Sequence, residues 1–139
     1  MKKILFLCTG NSCRSQMAEG LANYYGRGKI QAFSAGLNPS IVNPFAIEVM
    51  AEIGIDISKH RSKNLEEFLG QQFDFIITLC ESAKQNCPLF PGKATKIHWD
   101  IKDPADATGS KEEILTEFRK CRNIIKEKII DFLKEVNPD

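Results

Sequence analysis

The sequence lacks any apolar stretch long enough to span a bilayer, which takes about 20 helical residues. It also lacks the long apolar segment and the cleavage site of a signal peptide, because Met1-Lys2-Lys3 is followed only by the short apolar run Ile4-Leu5-Phe6-Leu7. These two absences argue against a membrane protein and predict a cytoplasmic location.

Charge of a single sign is also scarce, since 19 Lys and Arg balance 18 Asp and Glu to give a formal net charge of +1. Such a chain has no basic field with which to bind nucleic acid or an anionic membrane surface. The two histidines, His60 and His98, have no companion ligands at metal-binding spacing, so we expect neither a metal site nor a cofactor. Any anion-binding site must therefore be local.

Cysteine, by contrast, is present in an odd number, with five thiols in 139 residues. In a cytoplasmic protein this indicates free thiols or redox chemistry rather than a framework of structural disulfides. The length predicts one domain, residues 1–139, whose core is large enough to fold without covalent cross-links.

Apolar runs alternate with helix-compatible segments, which is typical of an α/β fold with a parallel sheet and right-handed crossovers. Strands are predicted over residues 2–8, 30–35, 73–79 and 95–99, and helices over residues 15–26, 44–53, 65–69 and 110–136. The first and third strands are the most apolar, so they should be central, which gives a four-stranded sheet of order 2-1-3-4 in a three-layer α/β/α domain. Ligands bind such sheets where the strand order reverses, here between strands one and three.

The segment that joins the first strand to the first helix is Cys8-Thr9-Gly10-Asn11-Ser12-Cys13-Arg14-Ser15. Its small and polar residues allow the backbone to curl until successive N–H groups converge on a tetrahedral oxyanion. The helix N-terminus and the Arg14 guanidinium add positive potential, which also favours a nucleophilic thiolate at Cys8. Ser15 can donate its hydroxyl to that thiolate. A Cys-x5-Arg spacing alone fits an ordinary turn with a buried cysteine equally well.

Two further cysteines follow the third predicted strand. Cys80 ends that strand, so the strand order places it near Cys8, because neighbouring strands lie about 4.8 Å apart. If the segment between Cys80 and Cys87 is helical, these two residues lie about 10 Å apart along the helix axis, which is beyond disulfide reach. Their spacing matches no standard metal or redox motif, and by itself it fits two inert cysteines beside a turn.

Several motifs resemble one family. The segment CTGNSCRSQMAEG resembles the active-site loop shared by low-molecular-weight protein tyrosine phosphatases and thioredoxin-coupled arsenate reductases. The likeness to the arsenate reductases continues through Ser34-Ala35-Gly36, Asn43-Pro44, Gly54-Ile55-Asp56-Ile57-Ser58, Thr78-Leu79-Cys80, Asn86-Cys87-Pro88, His98-Trp99 and Asp103-Pro104-Ala105. This resemblance implies a low-molecular-weight phosphatase-like fold and a role in arsenic detoxification.

The resemblance further implies a relay of three thiols. Cys8 attacks arsenate to form a covalent adduct, and Cys80 then attacks the Cys8 sulfur, which releases arsenite and leaves a Cys8–Cys80 disulfide. Cys87 attacks Cys80 in turn, and thioredoxin reduces the resulting Cys80–Cys87 disulfide. Asp103 matches the family's general acid, whereas the Asp-Pro dipeptide alone favours a turn aspartate. The expected ligands are arsenate, with phosphate or sulfate as competitors, and the expected partner is thioredoxin; we expect a monomer.

One position departs from the family pattern. Some members bind potassium through residues that match Asn11, Glu19 and Ser34, together with an acidic residue where this chain has Lys63. Because an ammonium competes electrostatically with a cation, we expect no potassium requirement and hypothesise that Lys63 substitutes for the ion.

Two alternatives come from other functional classes. A low-molecular-weight phosphatase would need only Cys8, Arg14 and Asp103, and a non-catalytic sensor would bind an oxyanion or respond to redox state without turnover. The additional cysteines favour the reductase over the phosphatase, although weak phosphatase activity is expected because phosphate and arsenate share shape and charge. The presence of a nucleophile with a proton donor argues against the sensor.

Overall fold

The computed structural model describes residues 1–136 and contains a four-stranded parallel sheet. Its strands are β1 (Lys2–Cys8), β2 (Ile30–Gly36), β3 (Phe75–Thr78) and β4 (Thr95–His98). They lie in the order β2-β1-β3-β4, which confirms the predicted order. The last five residues of β1 are all buried, as expected of a central strand covered on both faces.

Helices surround this sheet. The α-helices are α1 (Arg14–Tyr25), α2 (Pro44–Ala51), α3 (Glu81–Gln85) and α4 (Lys111–Val136), and two short 3-10 helices span Leu65–Phe68 and Pro104–Asp106. Helix α4 packs against both α1 and α2. None of the helices within residues 1–136 combines the length and the apolar character needed to cross a membrane.

The two faces of the sheet pack against different aromatic side chains. On one face Phe75 of β3 meets Phe132 of α4 edge to face, with ring centroids 4.9 Å apart. On the other face Phe33 of β2 contacts Phe68 and Phe73 at centroid distances of 5.9 and 6.0 Å. Because both faces are covered, the inner strands are apolar along their length, which is the pattern that predicted their position.

Two element boundaries differ from the prediction by two residues, each for a local reason, and the other predicted boundaries agree to within one residue. Strand β3 begins at Phe75 rather than at residue 73, because the Asp74 carboxylate accepts the Lys3 N–H at 2.8 Å in place of a strand carbonyl. Helix α2 ends at Ala51 rather than at residue 53, because Gly54 adopts a φ of +80° and donates its N–H back to the Ala51 carbonyl.

Candidate active site

The loop of residues 8–15, between β1 and α1, is held by the segment of residues 37–43 that follows β2. The N–H groups of Leu37, Asn38, Ser40 and Asn43 donate to the carbonyl oxygens of Cys8, Thr9, Gly10 and Ser12, respectively, at 2.8–3.2 Å. A carbonyl and the N–H of the same peptide unit point in opposite directions, so these bonds turn the loop's own N–H groups to the other side. The loop is therefore held in an arrangement suited to an anion.

Gly36, at the end of β2, allows the loop to approach closely. A Cβ atom at this position would lie 2.5 Å from the Thr9 carbonyl oxygen and 2.8 Å from the Asn11 nitrogen, both of them backbone atoms that cannot rotate away. The loop geometry thus requires glycine here.

Replacing Gly36 with alanine should displace the loop. We expect oxyanion binding to fall sharply and the free energy of unfolding to drop by about 1–3 kcal/mol, as in other overpacked sites. Phosphate titration and thermal melting measure the two effects. Gly54→Ala is the matched control, because its added Cβ meets nothing within 4 Å at a φ of +80°. It should lose about 1 kcal/mol of stability while binding phosphate normally, and equal binding losses in both variants would contradict this role of Gly36.

The sulfur of Cys8 is paired with a hydroxyl whose orientation is set by an amide. Cys8 Sγ lies 2.9 Å from Ser15 Oγ, and Asn11 Nδ2 donates to the same Ser15 oxygen at 2.7 Å. Because the Asn11 amide nitrogen can only donate, the Ser15 proton is left to point at the sulfur. All three residues are buried, and Asn11 adopts a left-handed φ of +49° that asparagine tolerates. The Ser15 hydroxyl is therefore oriented to donate a hydrogen bond to the Cys8 sulfur.

A second layer of hydrogen bonds fixes Asn11. Its Oδ1 accepts from Gln16 Nε2 at 2.9 Å and from the Lys63 N–H at 2.8 Å, and its backbone oxygen accepts from Ser62 Oγ at 2.7 Å. Gln16 Oε1 in turn lies 3.0 Å from His60 Nδ1. Three residues of this layer, Gln16, Ser62 and His60, were not predicted from the sequence as part of the site. Only Gln16 gave a signal, as a polar residue on the buried side of α1.

The ammonium of Lys63 lies beside the carboxylate of Glu19. Lys63 Nζ is 3.5 Å from Glu19 Oε1, which also accepts the Ser34 hydroxyl at 2.7 Å, and Nζ donates to the Arg61 carbonyl at 3.0 Å. Both charged side chains are 13% exposed. Within residues 1–136 no group of three or more His, Cys, Asp and Glu side chains is arranged to hold a metal ion. Lys63 places a positive charge next to Glu19.

We expect exchange of sodium for potassium at constant ionic strength to leave activity and melting temperature unchanged. The Lys63→Asp variant should melt lower in sodium, because two carboxylates would then face each other, and potassium should restore part of the loss. Thermal melts and initial rates in the two salts make the comparison. A marked rise of wild-type activity in potassium would contradict the substitution of Lys63 for an ion.

Arg14 and Asp103 meet at the edge of a cavity above the loop. Arg14 Nη1 donates to the Ile101 carbonyl at 2.9 Å, and its Nη2 lies 3.5 Å from Asp103 Oδ2. Asp103 Oδ1 accepts the Ala105 N–H at 3.0 Å. The cavity measures about 250 Å³ and is lined by Cys8, Thr9, Gly10, Ser12, Cys13, Arg14, Ser40, Asp103 and Ala105. The structure thus brings the predicted nucleophile, guanidinium and carboxyl group to one cavity. Ser40 also lines this cavity, and no sequence pattern predicted it.

Cys80 lies at the same end of the sheet. Its sulfur is 3.3 Å from Thr9 Oγ1 and accepts the Ala83 N–H at 3.4 Å, so that it caps the N-terminus of α3. Helix α3 and the turn after it separate this residue from Cys87, and all five cysteines of residues 1–136 are free thiols. Burial raises the pKa of the half-buried Cys87 thiol, and the Lys96 ammonium opposes the rise.

The two remaining thiols are shielded from solvent. Cys13 is 4% and Cys121 is 5% exposed, and burial raises the pKa of each thiol to about 12. Both therefore stay protonated at neutral pH and are poor nucleophiles.

Known proteins resemble this chain along almost its whole length. The model of the low molecular weight phosphotyrosine protein phosphatase family matches residues 3–139. The arsenate reductase of Halalkalibacterium halodurans is 45% identical over 131 residues, which are 94% of each chain. A solved arsenate reductase in the phosphate binding state is 37% identical, with a TM-score of 0.81 over 99% of this chain and 100% of its own. A thioredoxin-dependent arsenate reductase from Corynebacterium glutamicum is 25% identical, with a TM-score of 0.76 over 98% of this chain and 62% of its own.

Proposed function

The chain belongs to the low molecular weight phosphotyrosine protein phosphatase family, and from this premise we propose that it reduces arsenate to arsenite with the thiols of Cys8, Cys80 and Cys87. The observation that carries the proposal is the contact of Thr9 with the Cys80 sulfur, which puts a second thiol beside the oxyanion loop. The phosphatase reaction does not require that second thiol. The identity of 45% to an arsenate reductase over almost the full length supports the same activity.

The reaction begins with binding of the oxyanion in the cavity above residues 8–15. Backbone N–H groups of the loop and the Arg14 guanidinium neutralise its charge. The Cys8 thiolate, stabilised by the Ser15 hydroxyl, attacks arsenic and displaces one oxygen, which leaves as water after taking a proton from Asp103. The product is a covalent Cys8–arsenate adduct in which arsenic still has its original oxidation state.

Reduction follows when the Cys80 sulfur attacks the Cys8 sulfur. The sulfur–arsenic bond breaks and its electron pair leaves with arsenic, so arsenate is reduced by two electrons while the two thiols become a Cys8–Cys80 disulfide. The proximity of Thr9 to Cys80 supports this step, because the strands that end at Cys8 and just before Cys80 are hydrogen-bonded neighbours.

A third thiol regenerates the nucleophile. Cys87 attacks the Cys80 sulfur, frees Cys8 as a thiolate and leaves a Cys80–Cys87 disulfide, which thioredoxin reduces with two electrons. Exposure of the α3 segment supports this route, because Lys84, Gln85 and Asn86 are all open to solvent. One chain supplies every group in the scheme, so we propose a single domain, residues 1–139, that acts as a monomer. Its free thiols fit a reducing cytoplasm.

The test is arsenate-dependent oxidation of NADPH in the presence of thioredoxin and thioredoxin reductase. We expect sustained turnover with arsenate and only slow hydrolysis of an aryl phosphate by the same preparation. Efficient phosphate-ester hydrolysis without arsenate-dependent oxidation would instead assign the protein to the phosphatases of its family.

A further inference from the structure

His98 carries a buried nitrogen that has no hydrogen-bond partner. It is the last residue of β4 and is paired in register with Thr78, the last residue of β3. Its Nδ1 lies 2.8 Å from Thr78 Oγ1, whereas its Nε2 is the one buried side-chain nitrogen or oxygen without a partner within residues 1–136. The carboxylate of Glu81 lies 3.8 Å from that Nε2. A buried polar atom without a partner destabilises a fold, so the presence of this nitrogen needs a functional explanation.

The groups around the ring indicate which nitrogen of His98 bears hydrogen. The 2.8 Å contact between Thr78 Oγ1 and His98 Nδ1 can run in either direction, because the hydroxyl can also donate to the Ile97 carbonyl at 3.4 Å. The Glu81 carboxylate, 3.8 Å from Nε2, favours a proton on that nitrogen, so that Nδ1 accepts from Thr78. When Nδ1 accepts, the proton of the neutral ring sits on Nε2. The ring then directs an N–H at the carboxylate of Glu81.

Glu81 is placed to receive it. This residue opens α3, directly after Cys80, and its Oε1 accepts from Gln85 Nε2 at the other end of the helix at 3.2 Å. Its side chain is 62% exposed and its Oε2 lies 3.8 Å from His98 Nε2, so a shift of about 1 Å would bring the two atoms to hydrogen-bonding distance. Glu81 thus lies between the end of β4 and both ends of α3.

We propose that His98 is a positioning residue that fastens α3 to the sheet through Glu81 and so sets how readily the Cys80–Cys87 segment opens. The inference rests on the proposed thiol relay, because α3 lies between those two thiols in the chain. In the step concerned, the Cys87 thiolate bonds to the Cys80 sulfur while the Cys8–Cys80 bond breaks and Cys8 departs as a thiolate. No net oxidation occurs, and α3 must loosen for the sulfurs to meet.

Hydrogen exchange of the reduced protein without arsenate tests the fastening itself. We compare wild type with Glu81→Gln, with His98→Phe, which keeps the ring, and with the double variant. Glu127→Gln is the matched control on an exposed position of α4. Amides of residues 82–86 should exchange about fivefold faster than in wild type in both single variants. The double variant should exchange at the same rate as each single variant, because all three variants remove the same contact. The control and the amides of β1 should exchange as in wild type.

Rapid mixing then connects the fastening to the relay. Thiol trapping after one turnover should show faster conversion of the Cys8–Cys80 to the Cys80–Cys87 disulfide in Glu81→Gln, by the same factor as its exchange. Arsenite release in a Cys87→Ser background should be unchanged, because it precedes the opening. Unaltered exchange in Glu81→Gln and His98→Phe, or additive effects in the double variant, would overturn the inference. Altered exchange without any arsenite release would leave the fastening intact and refute the proposed function instead.

Discussion

The Cys8→Ser variant is expected to reduce arsenate with a kcat/KM at least about a thousandfold lower than that of wild type. A serine hydroxyl without a dedicated base stays protonated, and it cannot take part in a disulfide. Neither Cys13 nor Cys121 can replace the nucleophile, because burial raises the pKa of both thiols to about 12. Initial rates with thioredoxin and its reductase measure the loss.

Binding and chemistry should separate in that variant. The backbone of residues 8–15 and the Arg14 guanidinium remain, so Cys8→Ser should still bind phosphate in a titration. Cys121→Ala, which removes a buried thiol outside the cavity above the loop, serves as the control and should keep its turnover. Reduction by Cys8→Ser at the wild-type rate would refute covalent catalysis by this residue.

Serine at the other two relay positions should stop the reaction at different stages. Cys87→Ser is expected to release one arsenite per enzyme through the Cys8–Cys80 disulfide and then to stop. The Cys80–Cys87 disulfide that thioredoxin reduces cannot form in this variant. Cys80→Ser should stop earlier, at the Cys8 adduct, and should release none. Quantifying arsenite after a single mixing, with mass spectrometry of the trapped protein, distinguishes the two.

Hydrogen exchange of the reduced and the oxidised protein reports on the helix between these thiols. Because the five-residue helix α3 lies between Cys80 and Cys87, forming their disulfide should unwind about residues 81–87, at a cost of about a few kcal/mol. Reduction should restore the helix. Equal amide protection of this segment in the two redox states would refute the unwinding, and sustained turnover by Cys87→Ser would refute the relay.

The architecture could be predicted because its determinants are local in the sequence. The continuous apolar character of β1 and β3 identified them as central strands, and from that order followed the position of Cys8 and Cys80 at one end of the sheet. The same order located the cavity, since the loop of residues 8–15 lies where the strand order reverses.

What could not be predicted depends on contacts between distant segments. Four N–H groups of residues 37–43 hold the loop, but nothing in a turn around Pro39 indicates which carbonyls they meet. The proximity of Glu81 to His98 could not be predicted either, because Glu81 resembles any acidic residue in a first helical turn. Such pairings are determined only by the packed sheet, in which side chains far apart in sequence become neighbours.

The contact of Thr9 with Cys80 joins residues 71 positions apart. Contacts of such long range carry a large loop-closure entropy and limit the rate at which a chain folds. The loop of residues 8–15 and α1, in contrast, are contiguous in sequence. The segments that hold this loop, residues 37–43 with Ser62 and Lys63, also precede β3 in the chain. A chain folded only as far as residue 63 would hold the Cys8 thiol without Cys80, which in the proposed relay releases the adduct. Under the proposed relay, completion of the central β1–β3 pairing is therefore the folding step that adds turnover to oxyanion binding.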